Sequence, residues 1–316
     1  MNKFTTTVKI DPLNYKIDHH SNMLLMGSCF SEYIGSKLKN AGFSVEINPL
    51  GVLFNPVSVK MGLECLIDNR RFTQEDLFFN GLLWGSFAHS TLFSATDPDV
   101  CLEKINTNID IGHAHLLKTD FLFLTLGTAW VYVLKETGEV VANCHKLPAV
   151  KFSRRRLTVQ EIVVAYAALF QNIRTVNPNM QVVFTVSPVR HWKDGAHENT
   201  ISKGILHLAV DELCKQFDFV HYFPAYEIQL DELRDYRFYA EDMIHPSLVA
   251  IHHIWQRFQS FCMDKETLKI IERIEEIRSQ EGHRAIHPDS SEHQAFLKKL
   301  DEKKQKFRTE YPHIDL

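Results

Sequence analysis

The sequence lacks the features that mark several protein classes. It has no run of about 18 apolar residues, so no membrane-spanning helix is expected. Its six cysteines include no C-x-x-C pair, which argues against a zinc ribbon or a thioredoxin-like site. The N-terminus has no apolar segment with a cleavage site, and no G-x-x-x-x-G-K phosphate loop occurs. These absences predict a cytoplasmic protein that holds neither a metal ion nor another cofactor.

The charge of the chain is small and its composition is ordinary. The 316 residues carry a formal net charge of −4, which gives no reason to expect nucleic acid or an anionic membrane as a partner. Apolar residues make up 45% of the chain and charged residues 23%, as in globular domains. This length is enough for one large α/β domain or for two small domains. The wide spacing of the cysteines favours free, buried thiols over disulfides.

Buried strands alternate with helices along most of the chain. Apolar runs predict strands at residues 22–28, 121–126 and 181–186, and periodic apolar positions predict helices at 158–176 and 247–262. Such alternation predicts an α/β fold with three layers, in which a mostly parallel sheet has helices on both faces. Ligands of these sheets bind at the carboxyl ends of the strands, and the conspicuous polar and glycine residues follow those ends.

The composition changes towards the C-terminus. Residues 264–280 and 289–308 are rich in Lys, Glu, Arg and Gln, which predicts two helices separated by a loop. We therefore expect a domain at residues 1–263, with a hairpin inserted near 131–148, and a helical extension at 264–316. The extension is expected to pack either on this domain or on a second subunit, and the second arrangement would make a homodimer.

The sequence contains the three residues of a serine-hydrolase triad. Asp242 precedes His245 by three residues, so its carboxylate can hold the imidazole in one tautomer. Ser28 follows a glycine at the end of the first strand and would be the nucleophile. His245 would take the hydroxyl proton as Ser28 attacks an ester carbonyl, and water would then hydrolyse the acyl-enzyme. Three alternatives stay open: Ser28 could simply end the strand, Asp242 could cap a helix, and Cys29 could be a rival nucleophile.

Several motifs in a fixed order give this chain a resemblance to a known family. Over roughly residues 20–262 it resembles the GSCFA family, a branch of the SGNH/GDSL hydrolases. The motifs are Gly27-Ser28-Cys29-Phe30, Asn48-Pro49-Leu50-Gly51, Thr125-Leu126-Gly127-Thr128-Ala129-Trp130, Asn143-Cys144-His145-Lys146-Leu147-Pro148 and Asp242-x-x-His245-Pro246-Ser247. The resemblance implies a flavodoxin-like α/β/α fold and an esterase-type site with Ser28, Asp242 and His245 as triad. It also implies that the backbone N–H of Gly51 helps to bind the oxyanion.

The third motif departs from the SGNH pattern. SGNH enzymes have Gly-x-Asn-Asp there, whereas this chain has Gly127-Thr128-Ala129-Trp130. The side-chain amide that would bind the oxyanion is therefore absent from its usual place. Because loss of one such donor lowers the rate by about 10²–10³, another group is expected to replace it. We expect the N–H groups of Ser28 and Gly51 to serve the oxyanion hole, with Asn143 as first and Thr128 as second replacement.

The substrate is expected to be a small molecule or a carbohydrate that carries an ester. A serine esterase cleaving a small acyl group, such as acetyl on a sugar, is the leading hypothesis. The alternatives are an acyltransferase that uses the same triad and a non-catalytic binding module on the hydrolase scaffold. His89 and His145 are candidates for lining the cleft, although a plain loop and a bond to a backbone carbonyl are equally open. Arg190 could bind an anionic substrate group or form a structural salt bridge.

Overall fold

The computed structural model describes residues 6–282 and 289–316, in which a mixed series of strands and helices is followed by a helical C-terminal part. The strands are β1 (Asn22–Gly27), β2 (Ser44–Ile47), β3 (Phe78–Phe79), β4 (Trp84–Gly85), β5 (Phe121–Leu126), β6 (Trp130–Leu134), β7 (Val140–Val141), β8 (Phe152–Arg156), β9 (Gln181–Val186) and β10 (Val220–Tyr222). The helices are α1 (Cys29–Asn40), α2 (Pro56–Ile67), α3 (Pro98–Leu116), α4 (Val159–Val176), α5 (Ala196–Gln216), α6 (Ala225–Glu227), α7 (Leu248–Cys262), α8 (Lys265–Glu281) and α9 (Ser291–Glu310).

The central sheet is parallel, with strand order β10-β9-β5-β1-β2 among the described residues. Every residue of β5 and β9 is buried, as expected for strands covered by helices on both faces. The order reverses between β1 and β5, where ligands of such sheets bind. The predicted three-layer α/β/α fold of flavodoxin-like type is confirmed.

Side chains of β1 alternate between the two faces of the sheet. Leu24 and Met26 join the larger core, which includes residues of α2, α3, α4 and α5. Met23 and Leu25 join the other core, which includes residues of α1 and α7. This alternation follows from the two-residue period of a strand. It anchors β1 on both faces and fixes the position of the turn that follows it.

The helical extension packs on the domain in this structure. Residues of α8, of α9 and of the segment after α9 form a small core, which consists of Ile274, Ile277, Leu300, Phe307 and Ile314. A Cβ at Gly42, just after α1, would meet Ile314 at 2.8 Å and Ile274 at 2.9 Å, so the extension lies directly against this end of the domain. Within residues 6–282 and 289–316, no helix has the length and apolar character that crossing a bilayer requires.

Helix α3 and strand β8 are two elements that the sequence-based expectation missed, and one expected loop lies partly outside the described residues. Helix α3 was not expected, because its apolar residues are sparse; Asp97 caps it by accepting the N–H of Asp99 at 2.8 Å. Strand β8 was also missed, and it pairs with β6 to widen the predicted hairpin into a small sheet. The loop expected between α8 and α9 falls partly on residues 283–288, which lie outside the described residues.

Candidate active site

Ser28 lies where β1 turns into α1. Gly27, just before it, has a φ of +134°, and a Cβ there would meet the carbonyl oxygen of Thr125 at 2.1 Å, so the turn requires glycine. Ser28 is the N-cap of α1, and its Oγ accepts the N–H of Phe30 at 3.3 Å. The residue is only 2% exposed. Its hydroxyl therefore lies at the carboxyl edge of the sheet and at the positive end of a helix.

Asp242 and His245 form a hydrogen-bonded pair in a closed turn. Asp242 Oδ2 lies 2.6 Å from His245 Nδ1, while Asp242 Oδ1 accepts the backbone N–H groups of Ile244 and His245, both at 2.9 Å. The N–H of Ala240 donates to the His245 carbonyl at 2.8 Å and closes the turn. Hydrogen bonds from the backbone and then the ring of His245 lower the pKa of Asp242 to about 2. The carboxylate is thus ionised and positioned to orient the ring.

The Asp242 turn lies close to residues that follow the carboxyl end of β9, because Asp242 and Ile244 line one cleft with Arg190 and Trp192. Burial raises the pKa of Tyr33 on α1, and the charge of Asp242 contributes to the rise. Burial, followed by the charge of Lys203, lowers the pKa of His191 to about 4, and His245 adds to this effect. His191 is also next to the end of β5, since a Cβ on Gly127 would meet its Nε2 at 3.3 Å.

Ser28 and His245 are not joined by a hydrogen bond in the part of the chain that the structure describes. Their cooperation therefore stays a prediction. Cys29, the neighbouring residue, is partly exposed, but burial and the nearby Glu32 raise the pKa of its thiol. A protonated thiol is a poor nucleophile, so these surroundings favour Ser28 over Cys29.

The two backbone N–H groups expected in the oxyanion hole already have acceptors. The Ser28 N–H donates to Thr125 O at 3.1 Å, and the Gly51 N–H donates to Asn48 O at 2.7 Å. Gly51 has a φ of +77°, and a Cβ there would meet Ser90 Oγ at 2.0 Å, so glycine is required here for packing. The role of both N–H groups in binding an oxyanion stays a prediction.

The two side chains expected to replace the missing amide line a separate cavity. This cavity, of about 380 Å³, lies beside the hairpin and is lined by both Thr128 and Asn143. Thr128 Oγ1 is 3.0 Å from Ser202 Oγ on α5, and Asn143 Oδ1 accepts the N–H of His145 at 2.7 Å. Neither side chain forms a hydrogen bond with Ser28 among the described residues.

His89 and His145 are buried against one loop. His89 Nδ1 lies 3.1 Å from Ser86 Oγ, and His145 Nε2 donates to Ser86 O at 2.8 Å. Burial lowers the pKa of both rings, that of His89 to about 3, so the His89 ring is neutral near pH 7. The His89 ring is fully buried and packs against Phe72 and Phe93, whereas His145 bonds a backbone carbonyl, as one of its two alternatives expected.

Asn48 is a candidate site residue that the sequence reasoning did not single out. It follows β2, has a φ of +47°, and is buried. Its Oδ1 accepts the N–H of Gly27 at 2.9 Å, which places its amide next to the residue before Ser28. Its Nδ2 is buried and has no hydrogen-bond partner. A buried, unpaired donor is costly, and such groups are found where a ligand completes the bonding. The sequence signal that could have identified Asn48 was an asparagine directly after a strand, at the carboxyl edge of the sheet where ligands bind.

Lys203 on α5 is a second residue that was missed. It is 1% exposed, and its Nζ donates to the carbonyls of Gly127 and Ser187 at 2.7 Å each. It thereby joins the ends of β5 and β9. Burial lowers its pKa to about 7. The sequence signal for a buried lysine was its position on the helix. Lys203 stands three residues before Leu206, so both lie on the apolar stripe of α5.

Replacing Lys203 by methionine should change how stability depends on pH. Below about pH 7 both folded and unfolded chains carry the charge, and only the folded state has to bury it. Above about pH 7 the folded state releases the proton first, so wild-type stability should rise until the unfolded lysine also titrates. Relative to Lys203→Met, the wild type should gain up to about 2 kcal/mol between pH 7 and 9, measured by urea unfolding.

The matched control for that experiment is Lys215→Met on the same helix. Lys215 is exposed and pairs with Asp211, so its removal should leave the pH dependence of the wild type unchanged in this range. A constant difference between wild type and Lys203→Met from pH 7 to 9 would show that the Lys203 amine is charged throughout.

A cleft of about 450 Å³ adjoins the Asp242 turn, and we call it the Asp242 cleft. Its lining residues are Arg190, Trp192, Leu230, Arg234, Asp235, Tyr236, Tyr239, Asp242, Met243 and Ile244. Arg190, the remaining predicted substrate-binding residue, is therefore in a cleft next to the predicted triad. Among the described residues Arg190 forms no salt bridge, so the structural salt bridge that was the alternative to substrate binding is not seen there.

The comparisons with known proteins give one family and several distant structures. The GSCFA family model matches residues 22–258, and the model described as the GSCFA domain protein, C-terminal domain, matches residues 274–316. The comparison with curated proteins gives no match.

Solved structures with similarity to this chain include three esterases. A family two carbohydrate esterase from Clostridium thermocellum is 12% identical, with 85% of this chain and 67% of that chain covered and a TM-score of 0.37. A carbohydrate esterase family 3 from Talaromyces cellulolyticus is 10% identical, with 81% and 99% covered and a TM-score of 0.38. An acetyl xylan esterase from Butyrivibrio proteoclasticus is 10% identical, with 84% and 65% covered and a TM-score of 0.38. Similarity at this level says nothing about activity.

Proposed function

The chain belongs to the GSCFA family, and from this premise we propose that it is a serine esterase of the SGNH type. The observation that carries the proposal is the 2.6 Å contact between Asp242 Oδ2 and His245 Nδ1. Asp242 fixes the proton on Nδ1, so that Nε2 is free to accept the proton of the Ser28 hydroxyl. Ser28 then attacks the ester carbonyl, and the protonated ring returns its proton to the leaving alcohol.

The acyl group in this proposal is small, such as acetyl, and the alcohol is a carbohydrate. Three aromatic residues of the Asp242 cleft, Trp192, Tyr236 and Tyr239, support a ring-shaped alcohol, because flat aromatic faces stack on sugar rings. The side chain of His245 is 39% exposed, which supports hydrolysis, because water can reach the ring. An acyltransferase would need to exclude that water from the acyl-enzyme.

Asn48 supplies the side-chain donor of the oxyanion hole in this proposal. Its Oδ1 is held by the N–H of Gly27, so the amide has one orientation and its Nδ2 remains available. An amide that is fixed before the reaction stabilises the developing negative charge without having to reorganise. In this proposal the side-chain amide that SGNH enzymes carry in the third motif comes from Asn48, in the second motif.

Asn48→Asp should lower kcat by about 10²–10³, the loss typical of one oxyanion donor. Aspartate keeps an oxygen for the Gly27 N–H and tolerates the left-handed backbone, but it has no N–H to donate. The measurement is steady-state hydrolysis of p-nitrophenyl acetate. Asn48→Gly, which keeps the backbone conformation and deletes the amide, should lose activity to a similar extent.

Asn69→Asp is the matched control for Asn48. Asn69 follows α2, is exposed and has a φ of +45°. The substitution therefore shows what replacing an asparagine in the left-handed conformation does at a position outside the site. It should leave kcat unchanged. If Asn48→Asp and Asn48→Gly are folded and fully active, the oxyanion is bound elsewhere.

A fluorophosphonate probe tests the proposed function directly. It should form an adduct on Ser28 of the wild type, located by mass spectrometry, because it reacts only with an activated hydroxyl. The adduct should be lost in His245→Ala. Well-folded wild-type protein that stays unlabelled would show that Ser28 is not an activated nucleophile.

A non-catalytic binding module is the second candidate, favoured by one observation. The N–H groups of Ser28 and Gly51 both donate to backbone carbonyls, so neither is free to bind an oxyanion as the chain stands. A module of this kind would bind a carbohydrate ester in the Asp242 cleft without cleaving it. It predicts no probe adduct, together with saturable binding of the ester.

A further inference from the structure

The Asp242 cleft contains two arginines that have no acidic partner. Among the described residues, the guanidinium groups of Arg190 and Arg234 make neither a hydrogen bond nor an ion pair. Arg190 Nε is buried and unpaired. Guanidinium groups that carry a full charge are normally paired when they are withdrawn from water. Arg190 is partly buried and Arg234 is exposed, and both leave positive charge available to a ligand of the cleft.

The two carboxylates of the same cleft are already occupied. Asp242 is bonded to His245, and Asp235 pairs with Arg237 at 3.0 Å, where its other oxygen also accepts the Arg237 N–H. Among the described residues, neither carboxylate forms a hydrogen bond or an ion pair with Arg190. The lining of the cleft accordingly has unpaired positive groups and paired negative ones.

Aromatic side chains border the same cleft and are exposed. Trp192 is 53% exposed and Tyr236 is 76% exposed, although large aromatic residues are usually buried. The guanidinium of Arg190 lies 5.3 Å from the centre of the Trp192 ring, which holds both side chains in place. Exposed aromatic surface next to unpaired charge is typical of a binding site.

We propose that the Asp242 cleft selects an ester of an anionic sugar, in which Arg190, supported by Arg234, binds a carboxylate or phosphate group of the substrate. The planar guanidinium matches both groups with two parallel hydrogen bonds. The rings of Trp192 and Tyr236 stack on the sugar, and the ester bond then lies towards the Asp242 turn. This inference rests on the proposed esterase function and specifies its substrate class.

The test compares three acetyl esters: those of methyl glucoside, of methyl glucuronoside and of methyl glucoside 6-phosphate. Acetate release should give a kcat/KM about 10- to 100-fold higher for at least one of the anionic esters than for the neutral ester, as expected for charged hydrogen bonds. The better of the two anionic esters identifies the substrate group as carboxylate or phosphate. Equal values for all three would overturn the proposal.

Arg190→Gln should reduce this selectivity to about one, while Arg190→Lys should keep part of it because the charge remains. Arg71→Gln is the matched control, since Arg71 pairs with Asp110 on the surface and lies outside the cleft; it removes the same charge and should keep the selectivity. A selectivity that survives Arg190→Gln would contradict the assignment.

Binding measurements separate this proposal from the esterase proposal. Titration calorimetry with methyl glucuronoside and methyl glucoside 6-phosphate needs no cleavage and can be done on Ser28→Ala. One of them should bind at least about 10-fold more tightly than methyl glucoside, and Arg190→Gln should remove the difference. If the probe does not label Ser28 but this preference is found, the esterase fails and the anionic subsite stands. No preference in binding overturns the subsite.

Discussion

Ser28→Ala should lower kcat/KM for p-nitrophenyl acetate by a factor on the order of 10⁴–10⁶, the range measured when a serine nucleophile is removed. The hydroxyl is the atom that forms the acyl bond, and water alone must replace it in the variant. The fold should persist, because the Ser28 N–H that donates to Thr125 O belongs to the backbone and is kept in the variant.

The substitution also removes the N-cap of α1, and that effect has its own control. Loss of the Ser28 bond to Phe30 N–H should lower the free energy of unfolding by about 1 kcal/mol. Ser290→Ala removes an equivalent cap from α9, where Oγ accepts the N–H of His293 at 3.2 Å. Ser290→Ala should lose a similar amount of stability, measured by thermal unfolding, but it should keep full activity.

The neighbouring thiol provides the outcome that would contradict this assignment. Cys29→Ala should retain most of the activity, because burial raises the pKa of the thiol and keeps it protonated. If instead Cys29→Ala is inactive and Ser28→Ala is active, the nucleophile is sulfur and the esterase chemistry must be reassigned.

The fold was predictable because its signals are local. Apolar runs in β5 and β9 indicated strands buried on both faces, and the capping box of Thr158 and Glu161 fixed the start of α4. The pairing of Asp242 with His245 was also local, since the two residues are three positions apart in one turn. By contrast, α3 was missed because its outer face carries many polar residues and its apolar stripe is thin.

The rest of the site depends on contacts between residues far apart in the chain. Asn48 matters because its amide meets Gly27, and Lys203 matters because it meets two strand ends, and neither contact leaves a local pattern. His89 shows the opposite case, in which a polar residue in a loop is fully buried by aromatic neighbours. Burial and pairing of this kind are set by the packing of whole elements.

Asp242→Asn should lower kcat by about 10⁴, because it changes the protonation of His245 while keeping the turn. Asn keeps the Oδ1 that accepts the N–H groups of Ile244 and His245. Its amide nitrogen replaces Oδ2 and can donate to Nδ1, so the ring proton moves to Nε2. A ring protonated there cannot accept the proton of Ser28.

The pH dependence of the Asp242 pair supports testing this variant near neutral pH. Because hydrogen bonds lower the pKa of Asp242 to about 2, the pair contributes to stability above the ordinary pKa of a carboxyl group. That contribution is lost only as pH falls through about 2. Between pH 5 and 9 the carboxylate of the wild type is therefore ionised. A lower kcat of Asp242→Asn in this range then reflects the changed tautomer of the His245 ring and not titration of the carboxylate.

Asp97→Asn is the matched control for Asp242→Asn. Asp97 Oδ1 accepts two backbone N–H groups, of Asp99 at 2.8 Å and of Val100 at 3.2 Å, but it has no histidine partner. The control should keep both its stability and the full kcat, measured as hydrolysis of p-nitrophenyl acetate. If Asp242→Asn stays within tenfold of the wild type, the carboxylate does not orient the ring. A backbone carbonyl must then fix the tautomer of His245, and the triad is reduced to a serine–histidine pair.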